Sequence, residues 1–177
     1  MKCIGLKFVN NNNGTVTDTE TDLMWMTFNV GQQFDNVVVG ETVKMNWFSA
    51  MKIPVDLNKQ GGYAGFTDWR LPKCSELEDL IESIDYNHPI LFPDKNGHFW
   101  FWTSKPIYDD PNVVKRIAFK KGMCEYGWKE DDQSAVRLVR NLTHKELPIP
   151  KDDEIAVMNG DAVVGVTCPH CGGKLTH

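Results

Sequence analysis

The sequence predicts an α+β fold, and three observations carry that expectation. Helical periodicity is confined to the first half, over residues 43–57 and 75–84; β-prone runs gather at both ends; and helices and strands do not alternate as they would around a parallel sheet. A chain of 177 residues, 41% hydrophobic with six Trp and nine Phe, has apolar area for one ordinary core without disulfide staples. That composition is unlike the low hydrophobicity of disordered chains.

Taken in order, Asn10 to Asn13 followed by Gly14 marks a turn, and Thr15-Val16-Thr17-Asp18 and Leu23-Met24-Trp25-Met26 read as a hairpin on either side of a turn-like Thr19 to Asp22. Over residues 43–57, Trp47, Phe48, Met51 and Val55 have helical spacing, and Pro54 is expected to break or kink that helix. Leu77, Leu80, Ile81 and Ile84 fall at i, i+3, i+4 and i+7, with Glu76, Glu78, Asp79 and Glu82 on the other face. Ser75 and Glu78 have capping-box spacing at its start. Beyond Asn87, residues 99–104, 113–120 and 135–140 read as strands, separated by Asp109-Asp110-Pro111-Asn112 and Lys121-Gly122. In the last of them Val136, Leu138 and Arg140 alternate with Arg137 and Val139, so neither face is clearly apolar. Residues 142–154 turn polar with Pro148 and Pro150 and read as a linker. A hairpin about Asn159-Gly160 then leads into Cys168-Pro169-His170-Cys171-Gly172-Gly173. The expected organisation is a domain at 1–141, the linker, and a short tail at 155–177.

The net charge of −5 conceals a segregation. Residues 1–102 carry eight Lys/Arg against thirteen Asp/Glu, residues 103–145 nine against six, and residues 146–177 two against five. Overall acidity argues against a nucleic-acid-coating protein but leaves room for a local basic face. No apolar run reaches the roughly 18–20 residues that a membrane span requires, and Met1-Lys2-Cys3-Ile4-Gly5-Leu6-Lys7 opens no signal-peptide stretch, so a cytoplasmic or virion-associated protein is expected. Five cysteines at irregular spacing point to reduced thiols or a metal site rather than a paired framework.

Several phrases belong together: Phe8 with Gly14-Thr15-Val16-Thr17-Asp18-Thr19 and Leu23-Met24-Trp25; Gly62-Tyr63-Ala64-Gly65-Phe66-Thr67-Asp68-Trp69-Arg70-Leu71-Pro72 with Glu76-Leu77 and Leu80-Ile81-Glu82; Phe99-Trp100-Phe101-Trp102-Thr103-Ser104; and Val136-Arg137-Leu138-Val139-Arg140. In this order, over about residues 8–141, they resemble the bacterial domain family named for the C-terminal domain of the collagen-like adhesin Lcl. The resemblance implies a C-type-lectin-like fold, with paired terminal strands, two helices packed on antiparallel sheet, and long loops presenting a ligand surface. It also implies a recognition module rather than an enzyme, since similar members are adhesin tips for sulfated glycans or retroelement-diversified binding proteins. Asp22 stands where the family usually has Gly, and Lys73 where it has a Thr helix cap. The Glu-Pro-Asn and Trp-Asn-Asp tripeptides of calcium-dependent animal lectins are absent from the sequence.

Each motif has a structural and a functional reading. Asp68-Trp69-Arg70 suits a buried Trp plug with an Arg that satisfies loop carbonyls or pairs with Asp68. Trp100 and Trp102 share a strand face and would stack sugar rings or fill a core, with Phe99 and Phe101 opposite. Lys105, Lys115, Arg116, Lys120, Lys121, Lys129, Arg137 and Arg140 would either converge on sulfate, phosphate or carboxylate groups or form a solvated face neutralised by neighbouring acids. The expected ligand-binding set is Trp100, Trp102, Lys115, Arg116, Lys120, Lys121 and Arg137, and the expected ligand is a protein or an anionic glycan. Cys168 and Cys171 have the spacing of a zinc knuckle; His177, His170, Cys3, Cys124 or a second subunit would complete a tetrahedron. Cys168, Cys171 and His177 are the expected ligands of a structural zinc that fixes the tail or joins subunits, with a redox pair as the alternative. An enzyme reading would nominate Cys74 and Cys124 by analogy with the formylglycine-generating oxidases, although no catalytic phrase surrounds them.

Overall fold

The computed structural model describes residues 7–84, 92, 99–106, 110–118 and 123–143, and these form an α+β fold with three antiparallel sheets. The chain divides into two units, Met1–Glu146 and Leu147–His177, and every described residue lies in the first.

The first sheet has the order β1-β2-β3-β9, from Phe8–Asn10, Thr15–Asp18, Leu23–Met26 and Val139–Asn141. Val16 lies opposite Trp25, which lies opposite Val139, so the two ends of the domain are joined through one buried row. The expected hairpin is the β2–β3 pair. In its turn Asp22 takes φ 54°, the left-handed backbone that glycine adopts most readily. Gly14, at φ 80°, is closed in by the Tyr63 hydroxyl and the Phe34 side chain, so no other residue fits there. Two short strands, β4 (Gln32–Asp35) and β5 (Val37–Gly40), form a separate and mostly exposed ribbon.

The helix α1 spans Trp47–Lys59, and the Asn46 side chain caps it by accepting from the Ser49 N–H. It runs on past Pro54, contrary to the expected break. An interior proline costs about 3 kcal/mol, but here its ring is buried, and the last turn is anchored by Asn58. That side chain donates to the Trp69 carbonyl (2.8 Å) and accepts from the Trp69 N–H (3.1 Å). The helix α2 spans Cys74–Ser83 and begins one residue before the expected Ser75 cap. Glu76 rather than Ser75 organises its start: the Arg70 guanidinium grips the Glu76 carboxylate at 2.8 Å through both nitrogens, and Glu76 accepts from the Lys73 N–H at 2.7 Å. Leu77 and Leu80 are buried, with Ile81 and Ile84 packed beside them.

The third sheet, β6-β7-β8, comprises Trp100–Pro106, Val113–Ala118 and Met123–Trp128. Its β8 falls in a stretch that the sequence reading did not assign as a strand. Two buried clusters form the core, one around Trp25, Leu77, Phe101 and Ile117, the other around Trp69, Leu71, Trp102 and Val114. Residues 135–140 thread between these layers and are buried throughout, with only 139–141 in regular ladder. Their main chain bonds to Trp100 and Trp102 on one side and to Met26, Val30 and Arg70 on the other. A segment covered on both sides shows no polar face, which is why its alternation was ambiguous.

Candidate recognition surface

Among the described residues, the expected ligand-binding set does not gather on one surface. Trp102 is fully buried, and its indole N–H donates to the Met45 carbonyl at 2.7 Å. Arg137 is 1% exposed, donates twice to Asn29 Oδ1 (3.0 and 2.8 Å), and stacks on the rings of Phe92 and Phe101. Trp100 is half-buried beneath the Arg116 guanidinium, which lies 5.2 Å from its ring. Arg116 is itself paired with Glu125 and with Asp132. Lys115 is half-buried on the strand beside it. Lys120, Lys121, Cys168, Cys171 and His177 lie outside the described residues.

Two more of the basic residues turn inward, whereas Lys105 is exposed. Arg140 pairs with Asp68 through both carboxylate oxygens (2.6 and 3.1 Å) and lies 3.8 Å above the Phe66 ring. Lys129 is buried and donates to the Pro111 carbonyl. Arg70 satisfies the Leu71 carbonyl, as expected of a loop arginine, but its acid is Glu76, and Asp68 belongs to Arg140 instead. Trp69 is the expected plug, buried and donating from its indole to the Tyr63 carbonyl at 3.0 Å.

What the fold does present is one face of β7 and β8. Lys115 lies opposite Tyr126 and Val113 opposite Trp128, and Tyr126 and Trp128 are 62% and 53% exposed. Gly127, between the two aromatics, makes this possible. A Cβ there would sit 2.8 Å from the Trp102 ring, so the strand lies directly on the buried indole and turns its neighbours outward. Trp128 is held at its backbone, where its N–H donates to Asp132 at 2.7 Å. Sequence reasoning missed Tyr126 and Trp128. The available signal was Cys124, Tyr126 and Trp128 at a period of two, interrupted by the glycine.

On the same strand face, Cys124 meets the first residue of α2. The Cys74 and Cys124 sulfurs are 3.9 Å apart, both thiols are free, and Cys74 donates to Glu78 Oε1 at 3.4 Å. Burial pushes the Cys74 thiol up to about 12, with Cys124 and Glu78 adding to the effect. The negative forms of Cys74 and Cys124, with smaller contributions from Tyr126 and Glu78, in turn raise the Lys115 ammonium.

Three clefts of about 270, 190 and 320 Å³ line α1 and the edges of the first sheet. They reach no further than the low end of the roughly 300–1,000 Å³ typical of small-molecule pockets. The arrangement is that of a compact α+β domain with an open aromatic and cationic strand face. The chain belongs to the Lcl C-terminal domain family, whose model matches residues 14–140. No curated protein sequence matches it. No helix among the described residues is long and apolar enough to cross a membrane.

Proposed function

We propose that the chain is a non-catalytic recognition module that binds a protein or an anionic glycan through the β7–β8 face. The observation that carries this reading is the exposure of Tyr126 and Trp128 beside Lys115. Exposed Trp and Tyr supply large contact areas at low entropic cost and dominate binding energetics, while an adjacent ammonium suits a sulfate or carboxylate group. The C-type-lectin-like fold implied by the family resemblance fits a protein whose surface, rather than an enclosed pocket, engages its ligand. The tail around Cys168, Cys171 and His177 would add a structural zinc, and the chain would work in the cytoplasm or on a virion.

A glycan array and a heparin column test the reading on the full chain. Binding should weaken steadily with salt and with Lys115→Ala, and Trp128→Ala should cost at least about tenfold, the effect of an interface hot spot. Equal binding by wild type and a Tyr126→Ala/Trp128→Ala variant would remove this face from consideration. The close approach of Cys74 and Cys124 favours one other reading, a copper-dependent oxidase like the formylglycine-generating enzymes. Oxygen consumption that disappears with Cys124→Ser would support it.

A further inference from the structure

We infer that Cys74, Glu78 and Cys124 form a binding site for a thiophilic divalent cation of the zinc class, between the first turns of α2 and the strand β8. The helix supplies two ligands four residues apart, which places them on one face. The strand supplies the third from across the gap, and the three ligand atoms all lie within 4.8 Å of one another.

The spacing suits a shared tetrahedral ion. Tetrahedral zinc, with Zn–S of about 2.3 Å and Zn–O of about 2.1 Å, sets its ligands about 3.8 Å apart for sulfur to sulfur and about 3.6 Å for sulfur to oxygen. The observed separations are 3.9 Å for the sulfurs and 3.4 Å from Cys74 to Glu78. A disulfide would require the sulfurs to close to about 2.05 Å.

Charge points the same way. On binding, two thiols release their protons to solvent, two metal–sulfur bonds and one metal–oxygen bond form, and no electron moves. Two thiolates and a carboxylate around a divalent ion leave one net negative charge. Lys115, two residues along β7 from Ile117, which lies opposite Cys124, stands close by in the sheet, where a cationic side chain suits that charge. Cys124 is exposed, so the fourth coordination position faces solvent, on the strand face that also carries Tyr126 and Trp128.

The test uses the full chain carrying Cys3→Ser, Cys168→Ser and Cys171→Ser, fully reduced and titrated with Co²⁺ in the absence of oxygen. The expected result is a thiolate-to-cobalt charge-transfer band that saturates at one equivalent and is abolished by added Zn²⁺. Cys124→Ser should eliminate the band while leaving the thermal midpoint in place, because that side chain is at the surface. Glu78→Gln should weaken cobalt binding at least tenfold. A reduced protein that develops no band, or a band that survives Cys124→Ser, overturns the inference. Neither outcome bears on glycan or heparin binding, which is read separately.

Discussion

Tyr63 couples a turn to the core. Its hydroxyl donates to the Asn13 carbonyl at 2.7 Å and occupies the space that a side chain at Gly14 would need, while its ring meets Phe28 and Trp69 edge-on. Burial raises its hydroxyl above the ordinary tyrosine value of about 10. A raised folded value means that the stabilisation is complete below about pH 10, and is lost as pH climbs through the folded value, where the unfolded chain is already ionised. Tyr63→Phe should therefore lower the thermal midpoint at pH 8 by the worth of one hydrogen bond, about 1 kcal/mol. The gap from wild type should narrow as pH rises above about 10. A gap independent of pH would show that the hydroxyl is not the titrating group. The arginines teach the opposite lesson about legibility at this scale. Arg137 and Arg140 contribute to a basic run in the sequence, yet Asn29 and Asp68 take them up inside the domain, and a charge count carries no information about which side of a strand a residue faces.

Among the elements, those with a clean period were readable. The β2–β3 hairpin and the buried stripe of α2 follow from alternation and from i, i+3, i+4 spacing, and the structure contains both. The cap of α2 was misplaced by two residues because its determinant, Arg70, comes from a preceding loop rather than from the helix itself. The strands β5 and β8 escaped notice because their exposed positions carry Val, Tyr and Trp, which erases the contrast that alternation depends on. In β8 the crucial residue is Gly127. Gly127→Ala would push a methyl into the Trp102 ring and the Arg116 side chain. Overpacking of this kind costs about 1–3 kcal/mol. A chemical denaturation curve should show the loss, and binding through Tyr126 and Trp128 should fall with it. Wild-type stability in this variant would mean that β8 stands off from the indole.

Across the whole molecule, Arg70 does for architecture what no single element does. Its backbone exchanges hydrogen bonds with Val139, and its side chain reaches Glu76 in α2 and Asn141 at the end of β9. Arg70→Ala should destabilise the domain by about 1.5–3 kcal/mol, the range for hydrogen bonds to charged groups. Arg70→Lys should recover little, because an ammonium cannot engage both oxygens of Glu76 at once. Thermal unfolding of the two variants beside wild type measures this, and full rescue by lysine would show that charge alone matters. This junction was half visible: the phrase Asp68-Trp69-Arg70-Leu71-Pro72 announced itself in the sequence, but its partners are distant along the chain.

The placement of residues 135–141 between the layers governs how the domain comes into being. On a ribosome, β3 emerges more than a hundred residues before β9, its partner in the first sheet. Until then one edge of β3 lacks its partner strand, and a nascent chain in that state is exposed to mispairing with its neighbours. Completion of the first sheet is therefore a late event, possible only once Asn141 has left the translation machinery, and a pairing of such long range slows folding.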